Sequence, residues 1–515
     1  MQLFSPFAAL AGLALSALFS ASPVHAQGAV PPVAAVRNVT DTFFGTTVDD
    51  PYRYFENKND PEVMQWMKAH NEHARKALAR IPGRDALLEK IQRYDASVSD
   101  RVGQLQRMPG DLYFTERRAV KDNQYKLYVR RGLTGTDKLL VDPEALEKRT
   151  GKPHAINWYT PSPDGKYVAY GLSKGGSEAA VLNVIDTRTG RTVGAPIDRA
   201  DFGGVDWSPD GKLMVFNRLQ ALRKGMPETQ KYQHSQVLAL KLGRSISSAL
   251  PLFGTAIKGL DIGPVDLPFV QLTHDGRWAL GYAINGTQRE QGLFVTPQAA
   301  FLAGKPKWTR VLKTDDAVTG SAYFDDTLYL VTYKGAARSQ VLALKIDARD
   351  LSAAQVIVPP SDRVVVNVVA AADALYIETR DGNVKRLFKR AYAPTASVVE
   401  VALPVEGSFE LTGDGITTAN PRLSGLVIDL QSWNRARQIF AVGADGSITN
   451  TQLQPSGPFD APADIVATEV KVRSHDGAMV PMSIIHRKGV RLTATTRRYS
   501  MVMPVTASQK SRSSA

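Results

Sequence analysis

The sequence contains no cysteine in its 515 residues. Disulfides, thiol catalysis and cysteine-ligated metals are therefore excluded, and the fold must rest on burial and hydrogen bonding. Apolar runs long enough to cross a bilayer, roughly 20 residues, are also lacking. The nearest approach is residues 8–19, followed by Ser20-Ala21-Ser22-Pro23-Val24-His25-Ala26. Val24 and Ala26 fit the small-residue rule for cleavage before Gln27, although no Lys or Arg precedes the apolar run. Residues 1–26 thus read as a cleaved secretory signal, which predicts a periplasmic or secreted chain with no membrane contact after cleavage. Acid is scarce relative to base: 50 Asp+Glu against 63 Lys+Arg, a net charge of +13. The excess is scattered, and Arg497, Arg498, Lys510 and Arg512 supply part of it from a segment without acid. A solvated basic surface is the reading, not a nucleic-acid site. No P-loop, His-Glu-x-x-His or dinucleotide fingerprint is present, so neither a cofactor nor a metal is expected.

What is present begins with helices. Asp60-Pro61-Glu62 reads as an N-cap with Pro at the first helical position. Val63, Trp66, Met67, His70 and Ala74 then recur at helical spacing. A second helix is predicted over residues 84–94, with Leu87, Leu88 and Ile91 on one side. His70 and His73 share a face at i, i+3, but no acidic or histidine partner accompanies them, and a solvated or packing role is the reading preferred to a metal site.

From residue 109 the texture changes to short apolar strands, each introduced by a turn. Ser162-Pro163-Asp164-Gly165-Lys166 and Ser208-Pro209-Asp210-Gly211-Lys212 are the clearest turns. Thr273-His274-Asp275-Gly276, Phe324-Asp325-Asp326-Thr327, Ala372-Asp373-Ala374 and Pro109-Gly110-Asp111 follow the same form. Thr412-Gly413-Asp414-Gly415 does so loosely. Markers of this kind, roughly 40 to 65 residues apart, suit four-stranded blades. One blade cannot bury both faces, so a closed ring of seven is predicted.

Residues 469–492 carry the most specific signal. Glu469-Val470-Lys471-Val472-Arg473-Ser474 alternates polar and apolar as a half-buried strand does. His475-Asp476-Gly477-Ala478 supplies a tight turn, and Met479-Val480-Pro481-Met482-Ser483-Ile484-Ile485 returns. This hairpin resembles the opening of the hydrolase domain in the prolyl oligopeptidase family of serine peptidases. The resemblance runs from about residue 40 to residue 492. It includes Asp50-Pro51-Tyr52-Arg53-Tyr54-Phe55-Glu56, Tyr170-Gly171-Leu172-Ser173-Lys174-Gly175-Gly176-Ser177-Glu178, and Tyr232-Gln233-His234-Ser235 with Leu242-Gly243. One departure is Arg244-Ser245-Ile246 where the family has an aspartate. Phe202, shortly before Trp207-Ser208-Pro209-Asp210-Gly211, stands where family members place an aromatic facing the substrate. By resemblance, the N-terminal segment wraps back onto a hydrolase domain.

A peptidase of this type needs a serine on a strand-to-helix elbow, then Asp and His. Gly175-Gly176-Ser177-Glu178-Ala179-Ala180 imitates the family's G-G-S-x-G-G motif. It lies between two blade strands without the elbow context, so no catalytic residue is assigned. After Leu492 the sequence turns Thr/Arg-rich and loses apolar periodicity. Loss of one guanine after the Leu492 codon accounts for this. Restoring the frame with allowed codons yields Leu-Asp-Gly-Asp-Asn-Pro-Thr-Leu-Leu-Tyr-Gly-Tyr-Ala-Gly-Tyr-Gly, similar to the family's next segment. Met501 has a single codon, which with Val502 forces one of those glycines.

The predicted organisation is a signal peptide (1–26), a helical segment (27–100), a β-propeller (101–460), the first hairpin of an α/β-hydrolase domain (461–492) and a frameshifted tail (493–515). The resemblance implies a serine-type endopeptidase acting on short peptides, cleaving after proline. This chain is expected to carry the propeller and to be inactive alone. The alternative is a propeller that binds partners without catalysis.

Overall fold

The structure, a computed structural model, describes residues 31–491 and Thr493, apart from 287, 349, 413–415 and 417–418. The signal stretch 1–26, most of the 412–415 turn and residues 494–515 of the tail lie outside the described residues. The chain divides into two units, meeting in sequence at Tyr94/Asp95.

In the first unit a hairpin, Val39–Phe43 with Thr46–Asp50, turns at Phe44 and Gly45, both at positive φ. Arg53 ties its two strands by ion pairs to Asp41 (2.6 Å) and Asp50 (2.8 Å). Helix α1 spans Pro61–Ala79, and the Asp60 carboxylate caps it by accepting the Glu62 N–H at 2.9 Å. Its inward stripe runs from buried Val63 to Trp66, whose indole N–H donates to the Pro32 carbonyl (3.1 Å). His70 stacks on that indole with centroids 4.6 Å apart, so the imidazole is a packing group. Helix α2, Arg84–Asp95, buries no residue, and Leu87, Leu88 and Ile91 are exposed.

The second unit is a seven-bladed β-propeller. Consecutive antiparallel strands form blades at residues 100–141, 154–186, 206–254, 267–312, 318–358, 364–401 and 426–450. The turn motif explains itself chemically. In Ser162-Pro163-Asp164-Gly165-Lys166, the Ser162 hydroxyl donates to Asp164 (2.8 Å) and accepts from the Tyr167 N–H (3.0 Å). Asp164 also accepts the Lys166 N–H at 3.1 Å. Ser208/Asp210 and Thr273/Asp275 repeat the pattern atom for atom. Gly165 sits at φ +68°, where a Cβ would lie 2.4 Å from Leu112.

Six sequence markers fall at the turn between the first and second strands of their blades. The seventh is corrected. Blade 7 makes that turn at residues 420–425, where Asn420 accepts the Arg422 N–H (3.0 Å) and the Leu423 N–H meets the Asn420 carbonyl (2.9 Å). Among the described residues before it, Ser408 and Ala419 touch the next strand by isolated bridges, Ser408↔Gln431 and Ala419↔Leu426. Gly407 lies within this approach; a Cβ there would come 2.0 Å from the Gln431 carbonyl.

Seven buried apolar clusters hold the ring, one at each blade–blade interface. The one joining blade 7 to blade 1 gathers Val102, Leu105 and Tyr113 against Ile416, Val427, Ile439 and Leu453. Among the described residues no strand is exchanged there. Closure instead uses a parallel bridge, Leu105↔Ile416, and hydrogen bonds to Gln454. Beyond blade 7 the strands Ile465–Arg473 and Met479–Arg487 pair as a regular hairpin in which Lys471 faces Pro481. Asn383, in a turn of blade 6, donates to Glu469 (3.1 Å) and Ser483 (3.2 Å), and Asn434 of blade 7 donates to the Ile465 carbonyl (2.9 Å).

Candidate functional site

The strand order gives the ring two distinct faces. First-to-second-strand turns, including 162–165, 273–276 and 420–425, open on one. Second-to-third-strand turns and blade-to-blade connections open on the other, which also carries the 465–487 hairpin through Asn383 and Asn434.

Phe202 lies on the hairpin-bearing face, in the connection from blade 2 to blade 3. The residues around it are shaped to hold it outward. Gly203 and Gly204 both take positive φ, +63° and +62°; a Cβ on Gly203 would stand 2.8 Å from Trp158, and one on Gly204 2.4 Å from Phe269. Only glycines let this loop lie flat on those two rings. Behind it the Trp158 indole donates to the Ala200 carbonyl (3.2 Å), and the Leu219 N–H donates to the Arg199 carbonyl (2.9 Å). The loop is pinned, and Phe202 remains 41% exposed.

Tyr232, which the sequence supplied only as part of a motif, stands beside it. The two rings are 6.0 Å apart at 53°, and Tyr232 is exposed to the same degree. Lys231 lies over the Tyr232 ring at 4.8 Å and faces Asp201 at 3.9 Å. Burial raises the Asp201 pKa, with Lys231 pulling against it. The Lys231 ammonium is held charged, first by its hydrogen bond to Tyr232 and then by Asp201. The result is two fixed aromatic faces beside a partly buried charge pair: a surface for apolar rings and extended backbone.

Across the channel the arrangement differs. The Arg422 guanidinium, from the blade 7 turn, donates to the His274 carbonyl in the blade 4 turn at 3.3 Å. Blades 4 and 7 are not neighbours, so this bond runs across the mouth of the channel. Asp206 in blade 3 lies close enough to feel Arg422. Burial lifts its carboxyl to about 6, opposed by the N–H groups of Leu272 (2.6 Å) and Trp207 (2.7 Å) and by Arg422.

The described residues do not assemble a nucleophile. Ser177 is exposed in the turn after a blade 2 strand and donates to the Lys174 carbonyl (3.0 Å). Gly171-Leu172-Ser173-Lys174-Gly175 also matches the five-residue elbow pattern, but Ser173 is buried within the strand Tyr167–Lys174, opposite Ala155. Ser474 meets the His475 ring at 3.3 Å on an exposed turn, where Asp476 is occupied by the Ala478 N–H (3.0 Å). None of these serines sits at a strand-to-helix elbow or in a closed pocket with both a histidine and a carboxylate.

Comparison with known proteins agrees with this geometry. Residues 31–420 match the family model for the prolyl oligopeptidase N-terminal beta-propeller domain. A prolyl endopeptidase of Elizabethkingia meningoseptica is 24% identical over 456 residues, covering 88% of this chain and 61% of its own length. A solved prolyl endopeptidase superposes with a TM-score of 0.76 at 25% identity, over 89% of this chain and 65% of that one. Prolyl oligopeptidase B of Galerina marginata superposes at 0.74 with 16% identity, a likeness of fold. The chain thus spans less than two thirds of the length of these relatives. It belongs to the prolyl oligopeptidase family, and the described residues comprise the N-terminal helical unit, a seven-bladed propeller and a following hairpin.

Proposed function

We propose that this chain is the propeller portion of an exported serine-type oligopeptidase that handles short peptides and cleaves after proline. The Phe202–Tyr232 pair, exposed on the face that carries the hairpin, is the observation that supports it. There a peptide reaching the ring meets two aromatic surfaces, and proline, an apolar ring without an N–H, stacks on them at little desolvation cost. The relatives' naming as peptidases favours this over a free-standing binding module. Export rests on residues 1–26.

Hydrolysis belongs, in this proposal, to a hydrolase domain outside the described residues. Without a nucleophile, binding energy alone does not open an amide. The 515-residue protein is expected to bind a proline-containing hexapeptide, seen as quenching of tyrosine and tryptophan emission, and to leave a proline-linked chromogenic peptide uncleaved. Turnover abolished by a serine-reactive phosphonate would overturn the assignment of catalysis elsewhere. Absence of peptide binding would overturn the role of the aromatic pair.

A further inference from the structure

On the face opposite the hairpin, the mouth of the channel is crossed by the Arg422 side chain, which reaches from blade 7 to the His274 carbonyl of blade 4 (3.3 Å). Both ends of that span are fixed. On the blade 7 side, Asn420 donates to the Arg107 carbonyl (3.3 Å) and Arg107 donates to the Ser424 carbonyl (3.1 Å), tying the turn to blade 1. The Gly425 N–H donates to Asp373 (2.8 Å) and the Ala372 N–H to the Leu423 carbonyl (3.0 Å), tying it to blade 6. On the blade 4 side the half-buried His274 ring stacks on Phe324 of blade 5, with centroids 5.3 Å apart at 21°. Phe324 in turn stacks on Tyr392, which follows the third strand of blade 6 (3.9 Å, 3°).

Between these anchored turns the arginine is the mobile part. Its side chain is exposed, forms no ion pair among the described residues, and holds a neutral carbonyl. Asp206 in blade 3 feels its charge without pairing with it. A single hydrogen bond of this kind, made by an exposed side chain, breaks and re-forms as the rotamer changes. Opening therefore needs no movement of the backbone. A mouth that one arginine can cross is narrow, and with the arm across it no passage remains for an extended chain.

We propose that Arg422 is a gate on this mouth, closed in the conformation described and opened by a change of its own rotamer. Taken with the peptide role proposed above, and resting on it in this respect alone, a peptide reaches Phe202 and Tyr232 from the hairpin-bearing face.

The chain has no cysteine, so a single introduced thiol reports alone. Gln271 is exposed although it lies on the innermost strand of blade 4, between Val270 and Leu272, both buried. Its side chain therefore opens on the channel, three residues before His274. The test is the rate at which Gln271→Cys protein reacts with N-ethylmaleimide, a neutral reagent, with Arg422 present and with Arg422→Ala. The rate follows the open fraction, so a gate closed about nine-tenths of the time should give about a tenfold rise in the alanine variant. Reagent arriving from the hairpin-bearing face does so equally in both proteins. Loss of a nearby guanidinium raises a thiol pKa and by itself slows the reaction, so an acceleration reports access. Ser424→Cys, exposed on the outer side of the mouth, supplies the unhindered rate. Equal rates for the Gln271→Cys reporter in the two backgrounds would overturn the gate. So would a reporter that already reacts as fast as Ser424→Cys while Arg422 is present. An acceleration accompanied by a large fall in melting temperature would make Arg422 a brace of the ring, and would overturn it too. No peptide enters the measurement, so its outcome is independent of the role given to Phe202 and Tyr232.

Discussion

Gln454 takes a hydrogen bond from the buried Val102 N–H at 3.0 Å, and so joins the end of blade 7 to the first strand of blade 1. The same amide donates back to the Asp100 carbonyl at 3.2 Å. Among the described residues no strand is shared between these blades, and this side chain, with the Leu105↔Ile416 bridge, supplies the pairing that strand exchange would otherwise provide.

Gln454→Ala is therefore expected to leave the Val102 N–H buried and unmet, at a cost of about 1–3 kcal/mol. Urea unfolding checks it. A variant as stable as the parent would show that the apolar cluster of Leu105, Ile416 and Val427 closes the ring unaided.

A second prediction concerns Glu378 and Lys385, an ion pair at 2.6 Å with both side chains buried. Glu378 also accepts the Leu411 N–H at 3.0 Å, reaching from blade 6 to blade 7. Lys385→Met alone strands a buried carboxylate and should cost about 3–5 kcal/mol. Glu378→Gln with Lys385→Met keeps an acceptor for Leu411 and should recover more than half of that loss. Equal losses in the two proteins would refute the argument.

Glu116 makes stability depend on pH. Burial lifts its carboxyl to about 7, and one of its oxygens has no partner. The folded chain then holds a proton that the unfolded chain, near 4.3, releases earlier. This contribution is fully present below about 4.3 and is lost as pH rises through 7, to roughly 3 kcal/mol in all. Glu116→Gln should remove that slope. Melting curves of both proteins between pH 4 and pH 8 decide it, and parallel profiles would refute it.

At the aromatic pair, Gly203→Ala forces a Cβ against Trp158 at a positive φ and should destabilise the protein by about 1–3 kcal/mol. Phe202→Ala, by contrast, should change stability by no more than about 0.5 kcal/mol, as for exposed positions generally, while weakening binding of the proline-containing hexapeptide several-fold. Thermal melts and the fluorescence titration separate the two effects. A Phe202→Ala protein that binds like the parent would remove this ring from the site.

Much of the ring was legible along the chain because its turns are local. Ser162, Asp164 and Gly165 complete their hydrogen bonds within five residues, so the motif and the geometry are one statement. The same holds for the Asp60 cap of α1, while the strand at residues 469–473 finds its partners across the turn, at residues 479–483. Phe202 was singled out by the family resemblance alone, and Tyr232 only as part of a motif. The two lie 30 positions apart, and only folding of the intervening strand brings their rings to 6.0 Å.

Short repeating patterns of polar and apolar residues were enough for the class of fold and for the turns that start six of the blades. Tertiary structure alone decided how blade 7 is built, where Arg422 reaches and how the ring closes. Gln454 and Val102 are 352 residues apart, and no local pattern encodes a partner at that distance. Such a pair is selected only when both ends of the chain are brought together and a buried N–H is left to satisfy.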